Sequence, residues 1–63
     1  MQSLLSKREV GERVGYHPEH IMRLAREGSF PKPVKLGDSD GSAVRFVESE
    51  VDAWLKARIA ART

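Results

Sequence analysis

The chain has no cysteine. Disulfide staples and thiolate metal sites are therefore excluded, and the composition suits a reducing cytoplasm. Long apolar runs are also missing. Hydrophobic residues fall singly and in pairs, so neither a membrane span nor a signal peptide is expected, and a soluble cytoplasmic protein is. Charge of one sign is not in large excess: eleven Lys and Arg stand against nine Asp and Glu, for a formal charge of +2. Seven of the eleven cations are arginine, which is compatible with nucleic acid, with ordinary solvated charge as the plain alternative. At 63 residues one domain is the ceiling, and folding buries only about 60% of the unfolded surface. The sequence holds no phosphate-binding glycine loop, nucleophile elbow or convergent acid pair, and it is too short to build a water-excluding pocket. It is not expected to be an enzyme or to need a cofactor. A metal site is not expected either. His17 and His20 lack a third ligand, and Asp38-x-Asp40-Gly41 fails as a calcium loop because the glycine falls two places early and Ser49 would occupy the twelfth position.

What is present is a sharp helical punctuation between Ser6 and Gly28. Ser6 followed by Glu9 is a capping box, and Leu5 and Val10 form its hydrophobic staple, so a helix is predicted over about 7–14. Val10 and Val14 share one face at i, i+4 spacing, and Gly15 ends the helix by taking the left-handed conformation. Gly11 costs helix propensity, which is explained if the next helix approaches closely there, with a tolerated exposed glycine as the plain alternative. Pro18 fits the first position of a second helix, over about 18–27, with His17 as its N-cap. Ile21, Leu24 and Ala25 form the inward stripe and Gly28 closes the helix. The linker Gly15-Tyr16-His17 is short enough to force a steep crossing, with Tyr16 expected as the apolar plug. The pair reads as a helix–turn–helix, which presents the N-terminal half of its second helix to the major groove. The outward residues are then His17, Glu19, His20, Arg23 and Arg26. Arg23 is suited to guanine or to a phosphate, and His20 can donate to either. Glu19 suits cytosine N4 or the helix dipole.

Ser29-Phe30-Pro31-Lys32-Pro33 is an extended connector, anchored by Phe30. Val34-Lys35-Leu36 and Ala43-Val44-Arg45-Phe46 alternate as short strands around a turn-rich loop, giving a hairpin, or wing, over about 34–46. Its Lys35 and Arg45 are candidate phosphate contacts, with acidic Asp38 and Asp40 at its tip. A third helix over about 48–61 is predicted, with Ser49 and Asp52 as a second capping box. Val51, Trp54, Leu55 and Ile59 form its inward face, and Trp54 is expected at the centre of the core.

These residues resemble a known family. Gly28-Ser29-Phe30-Pro31-Lys32-Pro33-Val34-Lys35-Leu36-Gly37 resembles the G-x-F-P-x-P-x-x-L-G segment of AlpA-type phage and prophage regulators. Arg45-Phe46-Val47-Glu48-Ser49-Glu50-Val51-Asp52-Ala53-Trp54-Leu55 is similar to their R-W-x-x-S-E-V-x-x-W motif, and the segment from Leu4 to Gly15 to their first helix. The likeness covers residues 4 to 57 or so. His17-Pro18-Glu19-His20 stands where these proteins commonly carry Ser-Arg-Ser-Thr, and Phe46 where they carry tryptophan. The resemblance implies a MerR-like winged helix–turn–helix that binds double-stranded DNA, as a transcription regulator or as an excisionase, a recombination directionality factor.

The expectation for the whole chain is a mostly α fold of three helices and a two-stranded antiparallel wing, forming a single DNA-binding domain over residues 1–63. Helix two enters the major groove, the wing reaches backbone or minor groove, and Lys7 or Arg8 at the start of helix one clamps a phosphate. So small a module makes few contacts, which favours self-association on adjacent sites. An integrase or RNA polymerase is a further candidate partner. The contrasting expectation is an adaptor that turns the same fold toward another protein.

Overall fold

The computed structural model describes residues 3–37 and 43–62; the acidic loop tip with Asp38 and Asp40 lies outside the described residues. In chain order the elements are β1 (Leu4–Leu5), α1 (Lys7–Val14), α2 (Pro18–Glu27), β2 (Val34–Lys35), β3 (Val44–Val47) and α3 (Glu48–Ala61). The protein is mostly α, with three helices around a small antiparallel sheet, the layout of a small winged helix–turn–helix.

Helix α1 begins as its local chemistry dictates. The Glu9 amide donates to Ser6 Oγ at 3.1 Å, and the Ser6 amide donates to Glu9 Oε1 at 2.9 Å, so two otherwise orphaned amides are satisfied. The helix stops at Gly15, whose φ is +83°. Its amide and that of Tyr16 both donate to the Gly11 carbonyl, at 2.7 and 3.0 Å. Gly11 is buried for a specific reason: a Cβ there would lie 2.5 Å from the Tyr16 carbonyl oxygen and 3.6 Å from Pro18 Cδ. The close partner is thus the turn backbone. Tyr16 is not the apolar plug, because the left-handed Gly15 swings it outward, where it is 42% exposed.

Helix α2 is capped by the His17 ring, whose Nδ1 accepts the Glu19 amide at 3.1 Å, with Pro18 at the first helical position. It ends at Gly28, again at φ +83°. There the Ser29 amide donates back to the Leu24 carbonyl at 2.9 Å, as in a Schellman turn.

The sheet has three strands, in the order β1-β3-β2. Leu4 pairs with Val47 and Leu5 with Phe46, while Val34 pairs with Arg45 and Lys35 with Val44. The expected hairpin is therefore joined by an additional strand from residues that precede α1. Alternation puts Leu5 and Phe46 on the inner face and Leu4, Val34, Arg45 and Val47 on the outer one.

The core consists of Leu5, Val10, Ile21, Ala25, Phe30, Phe46 and Val51. Phe30 packs edge-on against Phe46 and Trp54, with ring centroids 5.6 and 4.8 Å apart. Trp54 flanks this centre and does not occupy it: the ring is half-buried, and its Nε1 donates to the Ser29 carbonyl at 2.9 Å. Helix α3 starts directly after β3 with Val47 as its N-cap, and no side chain caps it. Ser49 is already inside the helix, so the second capping box does not form. The Glu48 amide donates instead to the Ser3 carbonyl at 2.9 Å. Ile59, expected inside, is 54% exposed, since the core ends near Trp54 and the last turns of α3 run beyond it. Arg13 ties α1 to α3, at 3.1 Å from both Glu48 Oε2 and Asp52 Oδ1.

Candidate nucleic-acid interface

No charged or polar side chain is buried among the described residues. Whatever chemistry the surface performs is therefore done with solvent-facing N–H groups and charge. Three groups of predicted site residues can be placed on it.

At the start of α1 and α2, Lys7 Nζ lies 3.5 Å from Glu19 Oε1, with the two side chains 46% and 73% exposed. The tight turn at Gly15 brings these two helix starts together. Arg8 is exposed next to Lys7 on α1. So exposed an ion pair contributes about 0–1 kcal/mol, and Lys7 can leave it for a phosphate at little cost.

Along α2, His17 and Arg23 are exposed and His20 is half-buried. Arg23 Nη2 sits 2.7 Å from His20 Nδ1. The His20 ring in turn meets the Tyr16 ring edge-on, with centroids 4.7 Å apart and an interplanar angle of 88°. The two histidines thus already have local partners: one caps the helix, the other holds an arginine.

Between the last turns of α2 and the wing runs a groove of about 600 Å³, with Met22, Ala25, Pro33 and Val44 along its apolar floor and Arg26, Lys32 and Lys35 around it. Sequence reasoning chose Arg26 and Lys35 but missed Lys32. The signal was available, because a lysine held between two prolines sits on an extended chain that cannot fold its side chain into a helix face.

Arg45 is not brought to this groove. The register that pairs Lys35 with Val44 sets Arg45 opposite Val34 on the other face of the sheet. There it is half-buried, and its Nη1 donates to the Val44 carbonyl at 2.8 Å. Its charge also helps to hold Glu9. The Glu9 carboxyl lies below its ordinary value mainly through the hydrogen bond from the Ser6 amide, then through the Ser6 side chain; burial opposes the shift, and the charges of Arg45 and then Arg13 add to it.

A tight two-helix unit, a strand pair beside its second helix and a third helix bracing both define the protein as a small winged helix–turn–helix. The chain belongs to the family described as prophage CP4-57 regulatory protein (AlpA), whose sequence profile matches residues 3–59. It is therefore a member of a phage and prophage regulator family. It is also similar to an uncharacterised protein, ORF88, of Enterobacteria phage P4, with 43% identity over 54 residues. That alignment covers 86% of this chain and 58% of the relative, so the chain spans little more than half the length of the curated relative it matches. No solved structure matches the chain significantly. No helix among the described residues is long and apolar enough to cross a membrane.

Proposed function

We propose that this protein binds double-stranded DNA sequence-specifically and acts as a phage-type transcription regulator or excisionase in the host cytoplasm. One observation carries the proposal: the outward face of α2, with His17, His20 and Arg23, adjoins a groove bordered by Arg26, Lys32 and Lys35. Helix α2 lies in the major groove and reads base edges, while the three cations beside it take the phosphates of one flanking strand. Lys7 and Arg8 hold phosphate at the start of α1. Arg45, on the far face of the wing, serves the sheet and the α1 cap, and contacts DNA only if the duplex wraps the wing.

The test is fluorescence anisotropy on labelled duplexes across a salt series. Affinity should fall steeply with salt, since each neutralised phosphate contributes a slope of about −0.9. No salt-dependent binding at micromolar protein would reject the proposal.

A second reading has its own support. Leu4 and Val34 on the outer sheet face are 45% and 44% exposed, and Leu36 beyond β2 is 54% exposed. Such a face suits a protein partner such as an integrase, RNA polymerase or another copy on an adjacent DNA site. In a pure adaptor this face would bind while duplex DNA would not.

A further inference from the structure

We infer that the outward face of α2 is a hydrogen-bond donor surface matched to guanine, with His20 as the positioning residue that aims Arg23. This rests on the DNA-binding reading above. It starts from the direction of two hydrogen bonds. A guanidinium N–H can only donate, so at 2.7 Å from Arg23 Nη2 the His20 Nδ1 must accept. The proton of the neutral ring then sits on Nε2. The same logic holds independently at His17, whose Nδ1 accepts the Glu19 amide at 3.1 Å. Both rings have committed their lone pair to the protein, and each offers a ligand an Nε2–H.

Arg23 adds four further N–H groups to these two donors. The acceptor side chain on this stretch is Glu19, 3.5 Å from Lys7 Nζ. Even with that pair opened for a phosphate, the exposed face sets six N–H donors against one carboxylate. Among base edges in the major groove, guanine presents two acceptors, N7 and O6. Adenine mixes an acceptor with a donor, cytosine presents a donor, and thymine pairs one acceptor with a methyl group. A donor face with an arginine fork fits guanine best.

His20 does more than add a donor. Its ring is held edge-on by Tyr16 from the preceding turn, so the acceptor that restrains Arg23 is itself restrained. Tyr16, placed outside the core, thereby gains a role at the surface. Fixing the guanidinium before contact lowers the ordering cost of binding.

Selection from randomised duplexes with the full chain tests this. The wild type should favour guanine over adenine at one position by a factor on the order of 5 to 150, the range of a bidentate pair. His20→Phe keeps a ring against Tyr16 but removes Nδ1. It should lower that ratio roughly 2- to 12-fold, the ordering cost of one long side chain. His20→Gln, whose Oε1 can accept from Arg23, should restore the ratio. Nitrogen-15 spectra of the histidines at neutral pH should show protonated Nε2 on both rings. A protonated Nδ1 on His20 overturns the inference without reference to DNA. Duplex binding with no guanine preference, or with one indifferent to His20→Phe, overturns it and leaves the DNA-binding proposal standing. Loss of all salt-dependent duplex binding removes both.

Discussion

Gly11 sets how closely α1 can meet the turn that follows it. Alanine is the better helix former by about 1 kcal/mol, yet its methyl would sit 2.5 Å from a backbone oxygen that cannot move aside. Gly11→Ala should therefore destabilise the fold, by about 1–3 kcal/mol as an overpacked site, read as a lower urea midpoint. A raised midpoint would mean the turn relaxes freely. At the surface the cations separate by role. Arg23→Ala should weaken binding to a selected duplex by about 1–3 kcal/mol and scarcely affect random sequence. Equal weakening on both would make it a phosphate contact. Lys35→Ala should instead lower the salt slope by about one unit on every sequence, and an unchanged slope would remove the groove from the interface.

At the scale of elements, the two helices of the helix–turn–helix were legible because their ends are written in adjacent residues. Ser6 and Glu9 start α1, Pro18 starts α2, and Gly15 and Gly28 stop them. The α1 cap also makes a prediction about pH. The Glu9 carboxyl is depressed below its ordinary 4.5, so its contribution is fully present above that value and is lost as pH falls through the folded-state value. Urea midpoints measured from neutral pH to pH 3 should decline in acid more for the wild type than for Glu9→Gln, whose side chain can still reach the Ser6 amide. Parallel curves would remove Glu9 from the acid response. Elements whose identity comes from distant partners were not legible. Leu4–Leu5 is a strand only because Val47 and Phe46 lie beside it. The residue before this strand also bears on the start of α3, which lacks a side-chain cap: the Glu48 amide is satisfied by the Ser3 carbonyl. Tyr16 and Ile59 were misplaced for a simpler reason: a core this small has fewer inside positions than the chain has apolar residues. In the candidate site, residue identity pointed to α2 and Lys35, while the separation of Arg45 from Lys35 depended on strand register, which the hairpin's sequence left open.

For the whole molecule, the cationic groove and the exposed apolar sheet face are distinct surfaces, so contact with DNA leaves the second surface available for a neighbour. Duplexes carrying two adjacent sites should bind more tightly than twice the single-site affinity, by avidity of protomers in contact; strictly independent filling, read by titration, would indicate isolated modules. The position of β3 between β1 and β2 bears on how the chain comes to be folded at all. Helices α1 and α2 need only near neighbours in sequence, and can organise while the remainder is still being synthesised. Strand β1, made before both helices, must wait for β3, because the two are joined only by a stretch that encloses both helices and the β2 strand. The strand is thus made before both helices and placed after them. Its docking closes the sheet and brings up the Ser3 carbonyl on which α3 begins, so the scaffold is completed by a segment older than the helices it braces.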